Sequence, residues 1–339
     1  MHTIDVSRKF ATEESCTEYL EAMRWATNDD MACRGCGLVG KENFRSFTTK
    51  ETTRQRFSKK QGGMVTVRVP GRRLHECKTC GRQMNVKNDT VFGFTHLPLD
   101  KWFAAVALML EAKKGMSAMQ VCRHLGIDPK VNYKPIWYLC HRIREAMIEA
   151  GILTGVVEVD ETYMTRRKPR KGKPYVKKDK RDVVIGLVER GGKLKLVPVS
   201  DGNMAAIESV IEKYVSVDAT LHTDESAIYH IIGKRRFPGR HRTINHSVSY
   251  GVGDLHTNTV ENAFSLLKRG IYGTYHRVSI KHLGRYCNEF SYRFNRRDQQ
   301  KEMFDATIRG LLKAKPLPYK KLIASVESAE PSTPSDPEF

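Results

Sequence analysis

No stretch of this 339-residue sequence is both long and apolar enough to cross a bilayer. The longest apolar run, WFAAVALMLEA at residues 102–112, falls well short of the roughly 20 residues a crossing helix needs. The opening residues, MHTIDVSRKFATEESCTEYL, lack an apolar segment followed by a cleavage site, so they do not read as a secretory leader. Acid is also scarce: 38 Asp and Glu stand against 58 Lys and Arg, a formal net charge of +20. Such an imbalance points to a polyanionic partner, with nucleic acid ahead of a membrane surface because no basic amphipathic anchor stands out. Internal repeats are absent. The expectation is a soluble, intracellular chain, cytoplasmic and nucleoid-associated, with no membrane partner. Its 40% hydrophobic content suffices for a sizeable core in two or three domains.

Cysteine is sparse but patterned. Of eight, Cys16, Cys122, Cys140 and Cys287 are scattered and read as ordinary buried thiols. The other four form two knuckles, CRGCG with Cys33 and Cys36, and CKTCG with Cys77 and Cys80. Paired CxxC units in a reducing compartment read as a zinc site rather than as disulfides. The Gly after each second Cys suits the tight turn of a metal knuckle. Four thiolates close the coordination shell, so this zinc would be structural.

Residues 1–30 carry helical spacing, and 31–95 form the zinc-ribbon candidate, including the strand-like MVTVRVPGRR. Residues 96–150 read as helices. LDKWFAAVALMLEAKKG stops at Gly115, SAMQVCRHLGI has Ser117 as N-cap and Gly126 at its turn, and a third segment places Ile136, Leu139, Ile143 and Met147 on one face. A short helix, a Gly turn and a basic helix resemble a helix-turn-helix, although any three-helix packing unit shares that pattern. From 151 to 315 the pattern becomes α/β: strand-like GVVEVDETYM, DVVIGLVER and KLKLVPVS, helical NMAAIESVIEKYV, then strand-like ATLHTDES. A basic loop, TRRKPRKGKPYVKKDKR, follows the first strand; its Arg166, Arg167, Lys168 and Arg170 are candidate phosphate contacts. The tail, 316–339, is expected to be disordered at its Pro- and Ser-rich acidic end.

Three acidic positions attract attention. Asp160 ends the first strand, with Val157 and Val159 on one side and Glu158, Asp160 and Thr162 on the other. Asp224 ends a later strand, and strand ends of an α/β sheet are where ligands tend to sit. Glu161 and Glu225 are their neighbours. Glu261 lies in HTNTVENAFSLLKRG, where Val260, Ala263, Phe264 and Leu267 share a helical face. Two readings of Glu261 stand on that segment alone. It could close a capping box with Asn258, or it could belong to a polar stripe of Asn258, Glu261, Ser265 and Lys268 facing a substrate.

An Asp on a first strand, an Asp on a later one and a Glu on a following helix is the order of the ribonuclease-H-like DDE recombinases. The chain resembles the DDE transposases of bacterial insertion sequences, in particular the ISXO-like branch with an N-terminal zinc ribbon. The stretches VEVDETYM, HTDES, HTNTVENAFSLLKRGIYGTYHRVSIKHLGRY and NEFSYRFNRR carry the likeness, which extends from about Cys33 to about Asn295. The resemblance implies an α/β fold: a ribonuclease-H-like catalytic core preceded by the zinc ribbon and the helical segment. It implies Asp160, Asp224 and Glu261 as magnesium-binding catalytic carboxylates, with Asn258 the second choice for the third position, since some members of the branch carry Asn there. Lys268 would contact DNA from the same helix.

Such an enzyme would bind the terminal inverted repeats of its element, expose 3′-hydroxyls and join them to target DNA. Two magnesium ions, for which manganese is the expected substitute, neutralise charge at the phosphodiester and draw oxygen ligands from two or three carboxylates. Further candidate DNA contacts are Arg269, His276, Arg277, Lys281, Arg285, Arg296 and Arg297. Tyr272 and Tyr275 either stack on bases at a frayed end or belong to the core. His222 reads as a packed histidine, and His246 and His256 have no assigned role. The resemblance further implies double-stranded DNA as partner and a dimer or larger assembly upon it. Two rivals share the fold: a DNA-binding regulator with a decayed core, and a structure-specific nuclease.

Overall fold

The computed structural model describes residues 1–58, 61–164, 183–244 and 256–324. The basic-loop candidates Arg166, Arg167, Lys168 and Arg170, together with His246 and the acidic end of the tail, lie outside the described residues. The chain divides into two units. One comprises Ile4–Ala104 and Ile308–Pro316; the other comprises Met1–Thr3, Ala105–Thr307 and the residues from Leu317.

The smaller unit starts with helices α1 (Thr3–Lys9) and α2 (Glu13–Arg24). A capping box between Thr12 and Ser15 opens α2. Strands β1 (Phe44–Thr48), β2 (Thr52–Ser58), β3 (Gly63–Val69), β4 (Arg73–Cys77) and β5 (Gln83–Met84) follow, then the start of helix α3 (Leu99–Glu111), whose residues from Ala105 count with the larger unit. Strands β1, β4 and β5 make one sheet in that order, while β2 and β3 form a separate antiparallel hairpin.

The larger unit continues with α4 (Ala118–His124) and α5 (Pro129–Glu145). Ser117 and Gln120 cap α4 reciprocally, Gly126 takes a positive φ at the turn, and Asp128 with Pro129 opens α5. Strands β6 (Val156–Tyr163), β7 (Val183–Glu189) and β8 (Leu194–Val199) lead to α6 (Met204–Tyr214), β9 (Thr220–Asp224), α7 (Ala227–Arg236) and β10 (His241–Ile244). Helices α8 (Asn258–Gly273), α9 (Ile280–Asn295), α10 (Gln300–Lys313) and α11 (Tyr319–Ile323) complete the chain's described elements.

The five strands from β6 onward form one sheet in the order β10-β9-β6-β7-β8. Strands β6, β7 and β8 are an antiparallel meander, and β9 and β10 add in parallel through helices. This is a ribonuclease-H-like arrangement, and the α/β fold expected from the sequence is present. Strand alternation divides the core in two. Val157, Val159, Ile185 and Leu187 pack with Ile207, Ile211, Tyr229 and Ile232 of α6 and α7. On the other face, Val184, Val188 and Leu196 pack with Val260, Phe264 and Leu267 of α8 and with Phe290 of α9. A buried ion cluster joins α5 to α9: Arg144 Nε donates to Glu289 Oε2 at 2.6 Å, Arg293 pairs with Oε1, and the Tyr275 hydroxyl donates to Oε1 at 3.1 Å.

Candidate active site and metal centre

The apolar face of α8 explains where its polar face goes. Val260, Ala263, Phe264 and Leu267 are buried, as their spacing predicts, while Asn258, Glu261 and Ser265 are exposed and Lys268 is half-buried. Close approach of the helix to the sheet depends on Gly186. An added Cβ there would meet Val260 Cγ2 at 2.6 Å and Phe264 Cε1 at 2.7 Å. Gly186 lies opposite Asp160 in the β6–β7 pairing, so α8 comes down on the sheet beside that carboxylate.

The two Asp residues are brought together by strand register. Strand β6 runs parallel to β9 with Glu158 opposite His222, and Asp160 and Asp224 each stand two residues further along. Neighbouring strands lie about 4.8 Å apart, and the shared pleat turns both side chains to one face. Backbone N–H groups fix each one: Glu161 N donates to Asp160 Oδ1 at 2.8 Å and Ser226 N to Asp224 Oδ1 at 3.1 Å. Burial, with the charges of Glu161, Asp224 and Glu261 adding to it, pushes the Asp160 carboxyl up to about 7. Asp160 does not end its strand as the sequence led one to expect: β6 pairs on with β7 through Tyr163, and of the two Asp residues only Asp224 closes a strand. Carboxylates that repel one another across neighbouring strands and a facing helix make a site suited to a divalent cation.

The capping reading of this segment needs correction. The N-cap of α8 is Thr257, not Asn258, and it makes no side-chain cap bond. Instead, the Thr257 hydroxyl donates to Glu261 Oε1 at 3.2 Å. The cap comes from across the sheet. Glu158, fully buried on β6, accepts from Thr259 N at 2.9 Å, Thr259 Oγ1 at 2.9 Å and Val260 N at 3.1 Å. Arg190 Nε donates to the same carboxylate at 3.2 Å, and Arg190 Nη2 donates to the His256 carbonyl at 3.0 Å. His256 Nδ1 stands 3.3 Å from Glu158 Oε1. His222 is buried beside this cluster, and burial followed by the charge of Arg190 lowers its pKa to about 4. On the opposite sheet face, the buried Tyr229 hydroxyl donates to Glu161 Oε2 at 2.6 Å. Sequence reasoning assigned nothing to Glu158, Arg190, Gly186 or Tyr229. Only the alternation that puts Glu158 on the face of Asp160 gave any signal.

The basic candidates divide by environment. Lys268 and Arg269 line a cleft with Lys114 and Tyr272. Arg269, His276 and Arg277 are exposed, and Lys281 is half-buried. Arg285, by contrast, pairs with Glu145 at 2.6 Å, and Arg296 pairs with Glu149 and lies over the Tyr292 ring. Arg297 is exposed over Phe294. The two tyrosines are engaged within the fold, Tyr272 through the Met164 carbonyl and Tyr275 through Glu289.

In the smaller unit, the ligand atoms of Cys33, Cys36, Cys77 and Cys80 all lie within 4.8 Å of one another. Cys33 Sγ is 3.4 Å from Cys80 Sγ, and Cys36 Sγ is 3.7 Å from Cys77 Sγ. Those separations are too long for disulfides. They are near the roughly 3.8 Å between sulfurs of a tetrahedron with metal–sulfur bonds of about 2.3 Å. Gly37 and Gly81 adopt positive φ and return their N–H groups to the carbonyls of Cys33 and Cys77, both at 2.9 Å. Backbone N–H groups of Cys36 and Gly35 draw the Cys33 pKa down to about 6, which favours the thiolate. The four residues could therefore hold zinc.

Comparison with known proteins agrees with this architecture. Residues 152–295 match the family described as ISXO2-like transposase domain. The chain is also 26% identical over 233 residues to an uncharacterized protein in transposable element ISH50 of Halobacterium salinarum, covering 64% of this chain and 76% of that protein. The sheet order, the carboxylates on neighbouring strands β6 and β9 and this match agree. Residues 152–295 are thus similar to the ISXO2-like transposase domain.

Proposed function

We propose that the chain is a DNA transposase that recognises the terminal repeats of an insertion sequence, cleaves to expose 3′-hydroxyls and joins them to target DNA. Asp160, Asp224 and Glu261 would hold two magnesium ions, and zinc on Cys33, Cys36, Cys77 and Cys80 would be structural. The observation that supports this reading is the parallel register of β6 and β9, which carries Asp160 and Asp224 on neighbouring strands, with the charges of Asp224 and Glu261 both acting on Asp160. The bound ions supply charge neutralisation at the phosphodiester. The residues themselves do the positioning. Strand β6 and the end of β9 hold two carboxylates, and α8 presents Glu261 with Lys268 two turns on, where its ammonium meets the backbone of bound DNA. Arg269, His276, Arg277 and Lys281 extend that contact, with a contribution from Arg166, Arg167, Lys168 and Arg170. Two ends must be held for joining, so the active form would be a dimer or larger assembly on DNA.

The test is magnesium-dependent cleavage and joining of a fragment carrying the gene's own flanking ends, with scrambled ends as control. Joining by the wild type, lost in Asp160→Ala and Glu261→Ala but kept in Asn258→Ala, supports the assignment. Loss in Asn258→Ala with retention in Glu261→Ala transfers the third position to Asn258. End binding with no cleavage by the wild type refutes the enzymatic reading in favour of a DNA-binding regulator.

A further inference from the structure

Glu158 shares a sheet face with Asp160, two residues away, and could be mistaken for another metal ligand. Its surroundings argue otherwise. The side chain is fully buried, and four hydrogen bonds from Arg190, Thr259 and Val260 occupy its two oxygens. Two of those donors are backbone N–H groups in the first turn of α8, groups that no residue within the helix can satisfy. A helix N-terminus carries partial positive charge and favours an anion there. Here the anion is delivered from the catalytic strand, 101 residues away in sequence. Arg190, directly after β7, completes the attachment by donating to both Glu158 and the His256 carbonyl. The residue that follows Val260 is Glu261.

We infer that Glu158 is a positioning residue, which clamps the first turn of α8 to the strand of Asp160 and thereby sets the distance between the third carboxylate and the first. This inference rests on the proposed assignment of Asp160 and Glu261 to one metal site. A rigid attachment matters because divalent ions of the magnesium type tolerate little error in ligand geometry. Glu158 lies behind the site and supports the turn carrying Glu261. Arg190 acts with it from the other side of the same carboxylate.

The experiment uses the full chain and manganese as the probe. Glu158→Gln keeps the shape and one acceptor but removes the charge, and Arg190→Gln weakens the same clamp from outside. Manganese binding is followed by electron paramagnetic resonance, and backbone exchange of the Thr259–Glu261 amides by hydrogen–deuterium exchange. Asp160→Ala is run alongside. Expected are folded variants that retain zinc, with manganese bound at least tenfold more weakly and faster exchange confined to the start of α8. Melting that falls while manganese affinity stays at the wild-type value would mean that Glu158 is merely structural, and the inference fails. If Asp160→Ala itself binds manganese as the wild type does, the shared metal site is wrong and the inference falls with it. Loss in Asp160→Ala with retention in both Glu158→Gln and Arg190→Gln overturns the clamp alone.

Discussion

Asp160 shows what a half-buried acid costs and gains. Its carboxyl is raised from the ordinary 3.8 to about 7, chiefly by burial. The sign follows from proton counting. Below about pH 4 the folded and unfolded states are both protonated and nothing is lost. As pH rises the unfolded chain gives up its proton first, so stability falls, and the penalty is complete above about 7. The metal-free protein should therefore lose Tm between pH 5 and pH 8, and Asp160→Asn should raise its Tm more at pH 8 than at pH 5. A cation must displace the same proton. Manganese affinity of the wild type should climb about tenfold per unit of pH below 7 and level off above it, as expected for one proton lost per ion bound. Calorimetric titration at several pH values checks this, and a flat profile would show that Asp160 is ionised before the metal arrives.

At the scale of the element, α8 is set by what β7 lacks. Gly186 leaves room for Val260 and Phe264, and a methyl group at that position would come within 2.7 Å of both. Gly186→Ala should cost about 1–3 kcal/mol through overpacking. It should also weaken manganese binding, because the helix must back away from Asp160. Thermal melting with metal titration separates the two effects, and unchanged values in both would show that α8 can shift freely. The buried face of this helix was readable in the sequence, since Val260, Ala263, Phe264 and Leu267 keep helical spacing. So were the strands and their alternation around Asp160, and the cap at Ser117 as local turn chemistry. What binds α8 to the sheet was not readable. The Glu158–Thr259 contact joins residues 101 apart, and the β6–β9 register that aligns Asp160 with Asp224 depends on pairing across two intervening strands and a helix. A capping-box pattern on Asn258 and Glu261 was therefore a reasonable local reading that a distant buried charge overrode. Among the basic residues, spacing could not tell Arg285, paired with Glu145, from exposed Arg277.

For the whole molecule, two charge arguments operate at different depths. In the knuckles, four thiols lie close enough that their thiolates would repel without a cation. A structural zinc of this kind contributes about 10–16 kcal/mol of apparent binding free energy. Chelation should therefore unfold the sheet of β1, β4 and β5, seen as lost protection of those strands in hydrogen exchange. Full protection after zinc removal would show that packing alone holds them. On the surface, the net charge of +20 is available for phosphate. Each neutralised phosphate releases condensed counterions, so the logarithm of the binding constant falls by about 0.9 per contact for each unit in the logarithm of salt. With six or more contacts, duplex affinity should drop about a thousandfold between 50 and 200 mM salt. Lys268→Ala should reduce that slope by about one unit while leaving the preference for element ends over scrambled sequence intact, because a phosphate contact positions and does not read bases. Fluorescence anisotropy with both duplexes across the salt range measures slope and preference together. A slope unchanged by Lys268→Ala would remove that residue from the DNA-facing side of α8, and a Kd that shifts less than about threefold over the range would mean that the basic excess is not what holds DNA.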